Sequence, residues 1–443
     1  MPKSTFDVEN NNLSKVAFPT FRAIPIALLR AVRCLGRGWK KSWQYLLAVI
    51  VIIAIAYTAL DIYATAELNH QLNLIRQKGE PTSVEEIIPP KVPDSKNAAI
   101  LYKQAVASLK ANGINVGLNG DIPAQLDKEK ASAFLTKNAK AIDLIRQATA
   151  KPDCRFDIDW QHLLVAQYLE LGEMRDLSRL LSLQARHEAE TGKNVLALQD
   201  VRRLYVMVQQ MSGEKFLMGA LSQRAMESVA NRALAKVLLN TPLTEEQALD
   251  FQASLPMVNW NAILHQALLT ERTFIIKYPD WTHFVKPFSK LDTARGLYYW
   301  QKIISDAQNT PVPIPSDYEH SLKAQIAQGP WYTPFTKLVL PTYINIRAYN
   351  FDWNETQRRE REIAFALAVY HSQHHRYPAA LRQAEIFWKS TFPLDPYSNK
   401  SFHYKRENNT FLLYSIGVNR KDDGGARSYG EGTKNKDDIR WIY

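Results

Sequence analysis

The residues best suited to chemistry stand close to the end of the chain. The stretch KDDGGARSYGEGTKNKDDI, Lys421 to Ile439, sets two carboxylate pairs, Asp422–Asp423 and Asp437–Asp438, on either side of a Gly-rich loop. Carboxylates beside flexible backbone can gather a metal ion, and a solvated turn is the other reading. The loop's own cations, Lys421, Arg427, Lys434 and Lys436, can neutralise the same carboxylates without metal. YHSQHHRYP places His371 and His375 four apart, with His374 beside them, a spacing that can hold a transition metal on one helix face. No acidic partner stands within that motif, and solvated histidines suit a helix C-terminus. DIDW offers Asp157 and Asp159, a pair that glycoside hydrolysis can use and that also serves as the cap and turn of a following helix. SGEK, Ser212 to Lys215, has the S-x-x-K spacing of penicillin-binding enzymes but neither S-D-N nor K-T-G to accompany it. A turn opening a helix explains it equally. No Walker loop, G-x-S-x-G or dinucleotide fingerprint occurs, so no catalytic residue is assigned.

The elements that carry these residues begin with a placement signal. The chain has 443 residues and a formal net charge of +11. Such a charge suggests nucleic acid, but its distribution argues against it. Residues 1–42 hold Lys3, Lys15, Arg22, Arg30, Arg33, Arg37, Lys40 and Lys41 against Asp7 and Glu9, which is over half of the excess. The uncharged run SWQYLLAVIVIIAIAYTAL, Ser42 to Leu60, follows. At about 1.5 Å per residue it covers roughly 28 Å, close to the thickness of a bilayer's hydrocarbon. Trp43, Tyr45, Tyr57 and Tyr63 lie towards its ends, as interfacial aromatics do. A cleaved signal peptide fits poorly, because the run starts late and lacks a small-x-small site. The basic flank keeps the N-terminus cytoplasmic and puts residues 63–443 outside, which in a bacterium is the periplasm. Cys34 and Cys154 then lie on opposite sides of the membrane and cannot pair within one chain.

The exported part reads as mainly helical. Residues 64–95 form a polar connector, whose Pro-rich end GEPTSVEEIIPPKVPD is extended. Ala98, Leu101, Tyr102, Ala105 and Leu109 mark a first helix, and a second spans roughly 126–150. From Trp160 to Leu255 consecutive antiparallel helices follow, with stops at Gly192 and Gly213 and a capping box at Thr244 and Gln247. No 34-residue self-similarity marks a tetratricopeptide array. QNTPVPIPSDY and GPWYTPFTKLVLP read as connectors. The aromatics Tyr298, Tyr299, Trp300, Trp331 and Tyr332 suit either a core or a binding surface. A long helix runs from Pro341 to RYP, and the segments SFHYKR and TFLLYSIG around ENNT read as a β-hairpin.

This final succession resembles the globular head of the major pseudopilin of type II secretion. The matching residues are Tyr377–Pro378, Phe392–Pro393–Leu394–Asp395–Pro396–Tyr397, Leu413–Tyr414–Ser415–Ile416–Gly417, and the Gly/Asp loop. The chain departs from that family elsewhere, since RGWKKSWQYLLAV lacks the Glu early in the span and about 280 residues separate span from head. Most of residues 95–443 looks like a group of uncharacterised bacterial membrane-anchored proteins. Their N-A-A-x-x-Y helix is matched by Asn97, Ala98, Ala99 and Tyr102. Their C-R-F-x-x-D-W step is matched by Cys154, Arg155, Phe156, Asp159 and Trp160. That group brings no known activity. The pseudopilin resemblance implies Ca²⁺ at Asp422, Asp423, Asp437 and Asp438, and Ca²⁺ takes roughly 6–8 oxygens that such a loop can complete with carbonyls.

The expected fold is mainly α, with a single transmembrane helix, an antiparallel helical-hairpin exported domain and a small α+β pseudopilin-like C-terminal domain. The expected divisions are a basic tail at 1–42, a span at 43–62, a linker at 63–95, a helical domain at 96–340 and the terminal domain at 341–443. The expected partners are the lipid bilayer and proteins of the cell envelope, without nucleic acid. The expected role is a non-enzymatic docking or assembly factor of the inner membrane, related to secretion. A periplasmic hydrolase with a site between helical domain and head, and a Ca²⁺-responsive envelope protein, are the alternatives.

Overall fold

The computed structural model describes residues 26–117, 120–123, 126–160, 169–277, 285–309, 316–346, 352–388, 391–426 and 438–441. The chain divides into two compact units, Met1–Tyr63 and Ala64–Tyr443. In the first, helix α1 (Ile26–Gln77) is already under way, and every residue from 43 to 59 is exposed. None of the described residues buries this apolar stretch, unlike the core helix of a folded domain. It is long and apolar enough to cross a membrane.

The second unit begins with the last turns of α1. Residues 64–77 belong to the expected linker, yet they are helical. Ala64, Gln71 and Ile75 are buried, at a spacing that makes one stripe. The polar side chains between them hid that stripe. The helix ends where Gly79 takes a positive φ of 69° and Glu80 N–H returns to the Ile75 carbonyl at 3.3 Å. The Pro-rich segment beyond it is not helical up to the short turn at Asp94.

Helices α2 (Ala98–Ala111), α3 (Lys128–Lys137), α4 (Ala139–Ala148), α5 (Leu169–Glu190), α6 (Asn194–Gln210), α7 (Leu217–Asn240) and α8 (Glu245–Ser254) follow. The single helix expected over 126–150 is two. It breaks at buried Asn138, whose Nδ2 donates to the Phe134 carbonyl at 2.8 Å and whose Oδ1 accepts from Asn112 at 3.0 Å. Helices α5, α6 and α7 pack pairwise, and the α5–α6 turn uses Gly192 at φ 77°. The Thr244–Gln247 capping box at the start of α8 is present in both directions. A buried ion network ties three helices together: Arg146 of α4 reaches Asp200 of α6 at 2.5 Å and Glu188 of α5 at 2.9 Å.

Then come α9 (Trp260–Ile276), α10 (Lys286–Asn309), α11 (Ser316–Ala327), α12 (Pro334–Ile346) and α13 (Asp352–His374). The aromatic connector expected before Pro341 is largely α12, which carries Pro341 in its interior. Asp292 of α10 caps this helix, accepting N–H bonds from Phe335 at 2.9 Å and Thr336 at 3.1 Å. Thr336, Leu340 and Ile344 supply its buried stripe. Helix α11 lies between the two expected connectors, where no helix was expected. The long helix expected after Pro341 is represented by the end of α12 and by α13, and residues 347–351 lie outside the described set. The chain ends in an antiparallel sheet of order β1-β2-β3: β1 (His403–Glu407), β2 (Thr410–Ser415) and β3 (Ile439–Arg440). The hairpin pairs Glu407 with Thr410 across Asn408, at φ 39°, and Asn409.

The apolar core has two parts. One joins α2–α8 to α13 and the sheet, through residues such as Tyr102, Leu180, Leu234, Phe365 and Leu413. The other joins the start of α7 to α9–α12 around Trp300. Helix α7 therefore contributes to both. Residues after Pro341 do not keep a core of their own: α13 packs on α7 and α8, with the rings of Phe251 and Phe365 6.1 Å apart.

Candidate functional site

Two short motifs far apart in sequence meet on one wall of the second unit. Asn97 caps α2, its Oδ1 accepting from Ala99 N–H at 3.1 Å and from Arg155 N–H at 2.9 Å. Its Nδ2 donates to the Arg155 carbonyl at 2.9 Å. The amide offers both a donor and an acceptor here, whereas a carboxylate accepts alone. The flanking backbones pair too: Ala98 N–H donates to the Asp153 carbonyl at 2.7 Å. From the next turn of α2, the Tyr102 hydroxyl donates to Gln210 Oε1 at 2.6 Å, and Gln210 Nε2 donates to the carbonyls of Ala148 and Lys151. Phe156 N–H donates to Glu214 Oε1 at 3.1 Å, while Trp160 stands edge-on to Phe216 with centroids 5.8 Å apart. The turn after α6 comes so close that a Cβ on Gly213 would lie 3.0 Å from the Cys154 carbonyl. The N-A-A-x-x-Y and C-R-F-x-x-D-W residues thus form one knot with the α6–α7 turn.

Beside this knot opens a cavity of about 520 Å³, lined by Lys151, Asp153, Cys154, Arg155, Ser212 and Lys215 among others. Its chemistry is constrained by burial. The Cys154 thiol is buried and free, and desolvation pushes it far above the usual thiol range, so it is no nucleophile near neutrality. Burial raises the Glu214 carboxyl to about 7, against the Phe156 N–H and the Arg155 charge, which lower it. Glu214 Oε2 is buried without a hydrogen-bond partner. Ser212 and Lys215 are both exposed on the rim, and no hydrogen bond joins them. The S-x-x-K spacing does not assemble a Ser–Lys pair. Arg155 lies over the Trp160 ring, 5.8 Å from its centroid, and its Nη1 is buried without a partner. Its lining carries more cations than carboxylates, which suits recognition of an acidic or polar segment. The sequence motifs pointed to Asn97, Tyr102 and Arg155. Gln210 and Glu214 carried no signal of their own, because only the fold brings the α6–α7 turn to them.

The Gly/Asp loop is the second candidate. Its two ends meet around Asp438, which is fully buried and whose Oδ2 accepts N–H bonds from Asp423 at 3.0 Å and Gly425 at 2.7 Å. Burial first, and then the charges of Asp423 and Asp422, raise its carboxyl to about 6. Asp438 Oδ1 has no partner. Asp422 is exposed; its Oδ1 accepts from the Tyr414 hydroxyl and from Gly424 N–H, both at 2.9 Å, and His403 Nδ1 lies 3.4 Å from Oδ2. The Gly424 N–H leads the effects that lower its carboxyl. Asp423 accepts from Asn419 Nδ2 at 3.0 Å. Asp437, Arg427, Lys434 and Lys436 lie outside the described residues. Among the described residues no group of three His, Cys, Asp or Glu side chains is arranged to hold a metal.

The other motifs have structural work to do. His375 leaves the helix at φ 53°, donating N–H to the His371 carbonyl at 2.8 Å, so the expected shared helix face does not form. His371 stacks on Tyr377 and His374 on Tyr370. Burial, with His375 nearby, lowers the His371 pKa. Asp157 and Asp159 are exposed, and the helix start they were expected to cap lies outside the described residues. Asp395 is fully buried; its Oδ1 accepts from Tyr397 N–H and the Ser415 hydroxyl and its Oδ2 from the Ser398 hydroxyl, which joins the F-P-L-D-P-Y turn to L-Y-S-I-G. The Tyr404 hydroxyl donates to the Pro378 carbonyl at 2.8 Å. Comparison with protein-family models, with curated proteins and with solved structures finds no match to this chain.

Proposed function

We propose that this chain is a single-pass protein of the bacterial inner membrane, with its N-terminus cytoplasmic and residues 63–443 periplasmic, that docks an envelope protein. The observation that carries the docking role is the cavity beside the Asn97–Arg155 knot. The buried Cys154 thiol of its lining stays protonated near neutrality, while its accessible groups are the rim cations Lys151 and Lys215 with Asp153. Such a wall binds without turning over. The terminal region's resemblance to a pseudopilin head favours a partner from a secretion assembly. A hydrolase needs converging carboxylates or histidines, and the described cavity wall supplies the single carboxylate of Asp153. The test is a photo-crosslinking residue at Ser212 of the full-length chain in cells, with exposed Val195 as the control position. Docking predicts a discrete protein adduct from position 212 that Arg155→Ala weakens. Adducts of the same pattern from both positions, or none from 212, overturn it.

A second reading is favoured by Asp438 Oδ1, a buried carboxylate oxygen without a hydrogen-bond partner in the Gly/Asp loop. A Ca²⁺ ion is one group that would satisfy it, with Asp422, Asp423 and Asp437 as the further carboxylates. A ligand that binds only the native state raises its melting temperature. About 1 mM Ca²⁺ should therefore raise the melting temperature of the full chain over EDTA, and Asp438→Asn should abolish the rise. No shift in the parent chain rejects the reading.

A further inference from the structure

A second cavity, which shares no lining residue with the first, collects charge of one sign. It holds about 190 Å³ where α3, α5 and α7 adjoin. Leu126, Ala131 and Leu183 give it an apolar wall, and Arg186, His187, Glu190 and Lys236 a polar one. The helical period explains the gathering. Leu183, Arg186, His187 and Glu190 recur three and four residues apart, so they share one side of α5. Lys236 comes from α7, with Arg232 one turn before it.

The charges in this lining do not balance. Arg186 and Lys236, with the imidazole of His187, face the single carboxylate of Glu190. Burial, opposed by Glu190 and joined by the nearby charge of Arg232, lowers the Arg186 pKa. Lys236 is half-buried, and among the described residues its ammonium meets no hydrogen-bond or ion-pair partner. His187 Nδ1 is buried and likewise has no hydrogen-bond partner. The carboxylates next in sequence are engaged elsewhere: Glu188 accepts from Arg146 at 2.9 Å, and Asp127 pairs with Lys130 at 2.7 Å. Glu190 is exposed, where water screens it. Cations drawn partly out of water and close to one another cost stability unless an anion joins them. A tetrahedral oxyanion suits this set, because its oxygens can each accept from a different donor, and the guanidinium fork and the lysine ammonium are both strong donors to phosphate. The size agrees, since pockets for drug-sized ligands begin at about 300 Å³.

We propose that Arg186, His187 and Lys236 form a binding site for a small tetrahedral oxyanion of the phosphate class. The site rests on neither the docking role nor a membrane anchor. The test titrates the purified full chain with inorganic phosphate by calorimetry, at constant ionic strength, with chloride as the anion replaced. Saturable uptake of one phosphate per chain is expected, with sulfate competing for it. Arg186→Gln and Lys236→Gln should each weaken uptake several-fold, whereas Lys215→Gln, in the first cavity, should leave it unchanged. Glu190→Gln should tighten it several-fold, because it removes the one opposing charge of the lining. Uptake no greater than that of chloride overturns the proposal. Equal losses in Lys236→Gln and Lys215→Gln also overturn it, because phosphate then answers the net charge of the chain and not this cavity. Thermal melts guard against a variant that does not fold. Phosphate should raise the melting temperature of the parent over chloride, and raise that of Glu190→Gln further. A parent chain that melts at the same temperature in both salts rejects the site.

Discussion

At the residue scale, titratable side chains that the fold buries are committed to structure. Glu214 shows how this can be measured. Folded, its carboxyl holds a proton up to about pH 7, whereas the unfolded chain releases it near 4.5. A raised carboxylate pKa stabilises the fold fully below the lower value, and that contribution is lost as pH climbs through the upper one. Glu214→Gln removes the charge but keeps an Oε1 acceptor for Phe156 N–H. The variant should melt above its parent at about pH 8, by a margin worth up to roughly 3 kcal/mol, and the gap should close near pH 4–5. Thermal melts of both proteins across that range decide it, and a gap independent of pH would mean that folding does not shift the Glu214 carboxyl. Cys154 makes the same point without a titration: a thiol this buried should resist alkylation until the chain unfolds.

At the element scale, caps do two kinds of work. Thr244 closes an exposed capping box, and Thr244→Ala should cost about 1 kcal/mol, the usual worth of such a cap. Asn97 caps α2 and also clamps both backbone groups of Arg155, more than fifty residues away in sequence. Asn97→Ala should therefore cost about 2–3 kcal/mol, a cap plus hydrogen bonds left unmade in a half-buried place. Denaturant midpoints of the two variants side by side test this. Equal losses would show that the knot adds nothing beyond the cap. Helix α12 carries the complementary lesson. Pro341 sits in its interior, yet the helix stands because Asp292 holds its first turn and Thr336, Leu340 and Ile344 bury one face. Tertiary packing outweighs a local propensity of about 3 kcal/mol against proline.

At the scale of the whole molecule, the terminal region is not free to part from the helices before it. Leu413 and Phe365 belong to the same core as Leu234 and Tyr205. Arg361 of α13 lies over the Tyr205 ring at 4.9 Å, and Asn354 donates to Glu227 at 2.8 Å. A chain ending at Ile346 strips that face of α7 and α8. It should lose cooperative melting and become protease-sensitive throughout residues 169–255. A truncated protein that melted as sharply as the parent would instead show that the helices hold themselves together.

The sequence by itself determined a helix long and apolar enough to cross a membrane, together with local structure. An uncharged run of this length announces such a helix because water and hydrocarbon sort charges sharply. Gly192, Thr244, Gln247 and the Asn408–Asn409 turn announce their ends because the relevant geometry is local. The tertiary structure decided everything that depends on distant partners. It made residues 64–77 helical, because a sparse stripe of Ala64, Gln71 and Ile75 finds apolar neighbours only in the folded unit. It divided the aromatics into buried Trp300 and exposed Trp331, which share a composition and differ only in what packs on them. It brought Asn97 to Arg155 and Phe156 to Glu214, and so turned two motifs and a turn into one cavity wall. Hydrophobic periodicity records which face of a helix is buried, but not against what, and function here lies in that second question.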